Sequence, residues 1–139
     1  MAQMKKVVCE TFGPPQQLKR LDIEIPSPSK GQVLVKVEAA GVGFVDGLMI
    51  QGLYQVKPPL PYYPVSVFAG IVDQVGEGVS HLTSGDRVMG LSSGGAFADY
   101  LNIGSEVLVT LPADVASTTA AGFYINYATA LYGLRDCGH

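Results

Sequence analysis

Two glycines interrupt the most apolar part of the chain, in the stretch GVGFVDGLMIQGLY from Gly41 to Tyr54. Glycine reaches backbone angles closed to other residues and lets a backbone approach a ligand. Gly41 and Gly43 therefore predict a sharp turn beside a cavity, the floor of a small-molecule site. A strand, a glycine turn and a helix also open a dinucleotide-binding βαβ unit, in which the turn cradles pyrophosphate. Here the spacing is wrong for that, since Gly41, Gly43 and Gly47 read G-x-G-x-x-x-G. The acidic residue expected about 20 positions further on is missing too, and LPYYPVS fills that region. The other residues able to do chemistry point nowhere: Cys9 and Cys137 have no neighbours at metal-ligand spacing and read as reduced and unpaired. His81 lies in a turn-rich segment and His139 is the last residue, and both read as bystanders.

The elements that must position this turn are mostly strands. KKVVCE reads as a strand followed by a turn at Gly13, Pro14 and Pro15. In LKRLDIEIP, Leu21, Ile23 and Ile25 alternate with Arg20, Asp22 and Glu24, which predicts a half-exposed strand. Val33, Val35 and Val37 alternate with Leu34, Lys36 and Glu38 and predict a strand with one firmly buried face. Phe44, Val45, Leu48 and Met49 recur at helical spacing; the last three read as core, and Gly52 stands where a C-cap glycine belongs. KPPLPYYP is too proline-rich for regular structure. Strands are then expected from about Val65 to Val75, in GDRVMGL, in AFADYLNI and in EVLVTL, separated by glycine turns. Short strands so spaced predict a closed or half-closed β-barrel. Beyond Pro112, Asp114 is placed to cap a helix over VASTTAA, and FYINYATALYGLRDCG reads as helical after Gly122, ending at Gly138. An apolar helix at a chain terminus needs a surface to pack on.

The totals set limits. At 139 residues, 47% hydrophobic and 15% charged, the chain suits one domain with a real core and an apolar surface to spare. A net charge of −3 without a basic cluster argues against a nucleic-acid partner. No apolar run reaches membrane-spanning length, and no signal-peptide pattern follows Met1, so a cytoplasmic location is expected.

Several stretches in order, FGPP, PSPSKGQVLVKVEAAGVGFVD, GLYQVKPPLPYYP, FAGIVDQVGEGV, GDRVMGL, GAFADY and NYATALY, resemble the zinc-free quinone oxidoreductase branch of the medium-chain dehydrogenase/reductase superfamily. The resemblance implies a mainly β fold, the GroES-like partial β-barrel with short helices and a C-terminal linking helix. It implies a GroES-like catalytic domain over residues 1–112 and, over 113–139, a helical linker toward a Rossmann NAD(P)-binding domain that lies outside this sequence. It also implies NADPH as cofactor, a quinone or enone as small-molecule substrate, and hydride transfer between them. A homodimer is compatible with it. On this reading the 139-residue chain is one part of a longer reductase and is inactive alone. Two alternatives remain open: a standalone, non-catalytic GroES-like interaction module and, more remotely, a ring-forming co-chaperone.

The same resemblance assigns residues. Phe44 and Tyr54 would line the substrate cleft, with the Tyr54 hydroxyl donating to a carbonyl oxygen that gains charge. Gly43, Asn126 and Thr129 occupy positions near the nicotinamide, while Asp46 is expected to steady the short helix. Zinc-dependent relatives carry ligands where this chain has Gly43, Ser66 and Val67, so no metal is expected. Gly43, Leu48, Val65 and Val67 depart from the usual pattern of the branch, removing polar groups from the pocket and leaving open a more apolar enone as substrate or a parent whose activity has drifted.

Overall fold

The computed structural model describes residues 2–138. Its first element is β1 (Gln3–Val8), paired antiparallel with β2 (Lys19–Glu24), so that Met4 faces Ile23 and Lys6 faces Leu21. The strongest alternation becomes β3 (Gln32–Gly41), which lies between β4 (Val67–Val75) and β6 (Tyr100–Gly104). With β5 (Arg87–Leu91) and β7 (Leu108–Thr110) it makes a five-stranded antiparallel sheet of order β6-β3-β4-β5-β7. Central position in that sheet buries Leu34 as fully as Val33 and Val35, so β3 is covered on both faces at its start. Phe68, Val72, Val88 and Leu82 join these valines in the main core.

The free edge of β1 joins the two sheets. The Val7 N–H donates to Phe97 O at 3.0 Å and the Asp99 N–H to Lys5 O at 3.0 Å, while Cys9 and Tyr62 exchange backbone hydrogen bonds at 2.7 and 2.9 Å. The result is a partial barrel, half-closed as the strand count predicts. Inside it the β3–β4 approach is tight: a Cβ on Gly70 would sit 2.1 Å from Lys36 O, so the position admits only glycine.

Two helices complete the chain, α1 (Phe44–Gln51) and α2 (Ser117–Leu131), the second continuing into a π-helical segment, Tyr132–Cys137, that ends at Gly138. Several expected boundaries move. The strand predicted from Val65 starts at Val67, because Val65 takes a left-handed φ of 73° that interrupts extended backbone. AFADYLNI is strand only from Tyr100, and EVLVTL opens as a 3-10 turn, leaving three residues for β7. Asp114 does not cap α2; the N-cap is Ala116, with no side-chain bond, and the helix runs unbroken through Gly122. His139 lies outside the described residues.

Candidate functional site

The turn after β3 takes its shape from close packing rather than from unusual backbone angles. A Cβ on Gly41 would lie 2.4 Å from Ala121 O, so the glycine lets α2 settle against the end of β3. Gly43 is extended, with φ −120° and ψ 179°, a conformation open to any residue. It is the N-cap of α1, and its N–H donates to Asp46 Oδ2 at 2.7 Å. That bond gives Asp46 the helix-steadying role expected of it. It also places a carboxylate where a phosphate would have to sit, so the N-terminus of α1 cannot cradle pyrophosphate. At the other end Gly52 has φ 68°, the left-handed C-cap its position predicts.

Around this turn the surface is open and apolar. Phe44 is 83% exposed and Val42 67%. Val45, read as core from its spacing, is exposed as well, while Leu48 and Met49 are only half-buried. An eight-residue helix has room for one buried stripe, and Ile50 fills it, packing with Cys9 and Tyr62. Tyr54, two residues past the C-cap, is half-buried, and its hydroxyl has no hydrogen-bond partner among the described residues. Cys9 donates its thiol to Thr11 O and Ile50 O, and burial pushes its pKa up, which suits an inert core position.

The remaining assigned residues lie on α2. Its first turn is held by small side chains: Ala120 and Ala121 are buried against Ala69, with Met89 and Leu111 beside them. An unanticipated residue fixes the start of the helix. The Arg87 guanidinium on β5 donates to Pro112 O at 3.1 Å and reaches Val115 O and Ser117 Oγ, and Ser117 in turn donates to Glu38 Oε1 at 2.7 Å. In sequence Arg87 is one more outward residue of a strand, and only the neighbouring chain ends reveal its work. Past Gly122 the helix leaves the sheet. Asn126 and Thr129, one turn apart on one face, are exposed, with the Asn126 carboxamide donating to Gly122 O at 3.4 Å. Phe123 and Tyr127 stack at 4.8 Å between centroids on the exposed surface.

The contact of Gly41 with Ala121 sets the Gly43 turn beside the start of α2. Phe44 and Tyr54 do not line an enclosed pocket. Two cavities lie elsewhere, one of about 330 Å³ among Lys5, Lys6, Val37, Glu38, Phe97 and Asp99, the other of about 490 Å³ beside the proline loop. The three zinc positions fail a chemical test: Gly43 has no side chain, Val67 is a buried hydrocarbon opening β4, and Ser66 lies outside the usual ligand set. No group of three or more ligating side chains forms a metal site among the described residues. Phosphate groups have no built cradle at this turn, where the Gly43 N–H is already taken by Asp46.

Comparison with known proteins places this surface in context. The model of the alcohol dehydrogenase GroES-like domain matches residues 29–130. Quinone oxidoreductase of Lama guanicoe is 37% identical over 133 residues, which is 94% of this chain and 40% of that protein. The synaptic vesicle membrane protein VAT-1 homolog of Rattus norvegicus is 40% identical over 114 residues, 82% of this chain and 28% of that one. The chain thus spans well under half the length of these curated relatives. Among solved structures, Escherichia coli quinone oxidoreductase complexed with NADPH superposes with a TM-score of 0.90 at 31% identity, covering 96% of this chain and 41% of its own. The human VAT-1 homolog-like protein gives 0.93 at 30% identity, covering 99% and 44%. This chain belongs to the alcohol dehydrogenase GroES-like domain family and, within the medium-chain dehydrogenase/reductase superfamily, groups with the quinone oxidoreductases.

Proposed function

We propose that this chain is the substrate-side half of an NADPH-dependent, zinc-independent oxidoreductase acting on a quinone or an apolar enone, completed by a nucleotide-binding domain that packs on the outer part of α2. The observation that carries the reading is the apolar flank itself. Val42 and Phe44 at the turn, with Phe123, Tyr127 and Leu131 on α2, are all exposed around one close strand–helix contact. A soluble domain rarely leaves such a surface uncovered. The likeness to quinone oxidoreductases, one of them solved with NADPH, supports the nature of the missing wall.

When bound, the nicotinamide supplies the hydride. The chain's own residues do the rest. Asn126 and Thr129 offer hydrogen bonds that fix the ring's orientation, and Phe44 covers an apolar substrate and keeps water away. Gly43 leaves space at the turn for the ring to approach. The Tyr54 hydroxyl, free of other partners, donates to the carbonyl oxygen as it gains negative charge. With no ligand set at Gly43, Ser66 and Val67, that charge is met by hydrogen bonding rather than by a metal.

The test is an assay of the natural gene product at its native length, following NADPH oxidation with an ortho-quinone and with a hydrophobic enone, before and after exhaustive chelation. Turnover that survives chelation is expected. Absence of NADPH binding and turnover would favour a non-catalytic barrel, and turnover abolished by chelation would overturn zinc independence.

A further inference from the structure

Lys6 breaks the pattern of the strand that carries it. On β1 the inward positions are Met4, Lys6 and Val8; Met4 and Val8 are 2% exposed, and the cross-strand neighbour of Lys6 is the half-buried Leu21. An apolar residue belongs there by the period of the strand. Lys6 is half-buried, so its ammonium loses part of its hydration, and a partner would offset that loss. Yet the ion pairs among the described residues are Lys5–Asp22, Lys19–Glu10 and Arg135–Asp136, and Lys6 is in none of them. Burial accordingly lowers its pKa, with no anion acting to raise it. Its one organised contact is the Tyr63 ring, whose centroid lies 4.0 Å from Nζ.

Lys6 lines both of the pockets described above. Glu38 and Asp99 line the smaller one but are engaged, Glu38 by the Ser117 hydroxyl at 2.7 Å and Asp99 by the Lys5 N–H at 2.7 Å. The larger, of about 490 Å³, is lined by Lys6 and Lys57 and by no carboxylate, although the whole chain is net negative at −3. Its other walls are apolar or aromatic: Met49, Val56, Pro59, Pro61, Tyr62 and Tyr63. That volume and lining suit a small organic ligand with one charged end. The backbone there has no nest for a phosphate, since the Gly94 N–H already donates to Ser92 Oγ at 3.3 Å and the Gly95 N–H to Tyr63 O at 2.8 Å. Gly95 beside Nζ takes a left-handed φ of 88°, a backbone that favours glycine.

We propose that this cavity binds a small aromatic carboxylate, its head group on Lys6 Nζ and its ring against Tyr62, Tyr63 and the proline walls. None of Phe44, Tyr54, Asn126 and Thr129 lines it, so the proposal stands or falls separately from the reductase reading. The test is titration of the native-length protein with 2-naphthoate and with the neutral 2-naphthamide, read by calorimetry and by amide chemical shifts. Saturable binding of the acid is expected, with shifts centred on Lys6, Gly94 and Gly95 and with the amide about tenfold weaker. Lys6→Met removes the charge at similar volume. It should cut naphthoate affinity about tenfold and leave the amide unchanged. The proposal is overturned by equal affinities for acid and amide, by undiminished naphthoate binding in Lys6→Met, or by wild-type shifts that do not saturate or that map elsewhere. If Lys6→Met fails to fold, the acid-to-amide ratio and the shift map of the wild type decide alone.

Discussion

Tyr54 is the side chain on which the proposed chemistry depends, and its setting suits the role. It lies two residues past the α1 C-cap, Gly52, and its hydroxyl is committed to no other group among the described residues. Tyr54→Phe in the native-length protein should lower kcat for a quinone or enone by about tenfold to a hundredfold, the lower part of the range for a single donor to a developing oxyanion. The dissociation constant for NADPH should be nearly unchanged, because the hydroxyl faces substrate. Stopped-flow single turnover and fluorescence titration measure the two quantities separately, and equal rates would remove Tyr54 from the mechanism. Asp46, the only acid in α1, is excluded from such a part by its bond to the Gly43 N–H.

At the scale of elements, the account rests on how α2 meets the end of β3. Two glycines in this region have opposite jobs. Gly41 is pressed against Ala121 O, and Gly41→Ala should push the helix away and cost about 2–3 kcal/mol, as overpacking in a tight seam does. Gly122 has nothing within 4 Å of where its Cβ would be and sits inside a continuous helix. Gly122→Ala should therefore stabilise this 139-residue chain by about 0.5–1 kcal/mol, the helix-propensity difference. Thermal melts of the two variants, read by circular dichroism, check both signs. This pair also marks where the sequence could and could not be read. Gly52 was legible as a C-cap because a left-handed terminus is a local requirement. Gly41 looked like a ligand-side turn, but its reason lies 80 residues away in α2. Gly122 looked like a break because composition alone cannot say that a neighbouring turn tolerates it. Arg87 had no local signature at all, since its partners are carbonyls that only the fold brings near.

Over the whole molecule, the alternation of β2 was legible because one half-buried face imposes period two, and the strands with their turn signals carried the partial barrel with them. The candidate site was not legible from spacing or burial. Phe44, Tyr54, Gly43, Asn126 and Thr129 came from resemblance, and none of them lines either of the two pockets described. A cleft with one wall has no cavity to find, so neither spacing nor burial could have outlined it. The central claim is that this flank, from the Gly43 turn across to the outer half of α2, is the wall against which a reduced nicotinamide is held. Hydrogen–deuterium exchange of the native-length protein with and without NADPH tests it most directly. The account predicts slowed exchange on NADPH addition at residues 42–46 and along 123–131, with the β1–β2 pair unaffected. NADPH binding that leaves both segments exchanging as before, or no binding at all, would contradict it.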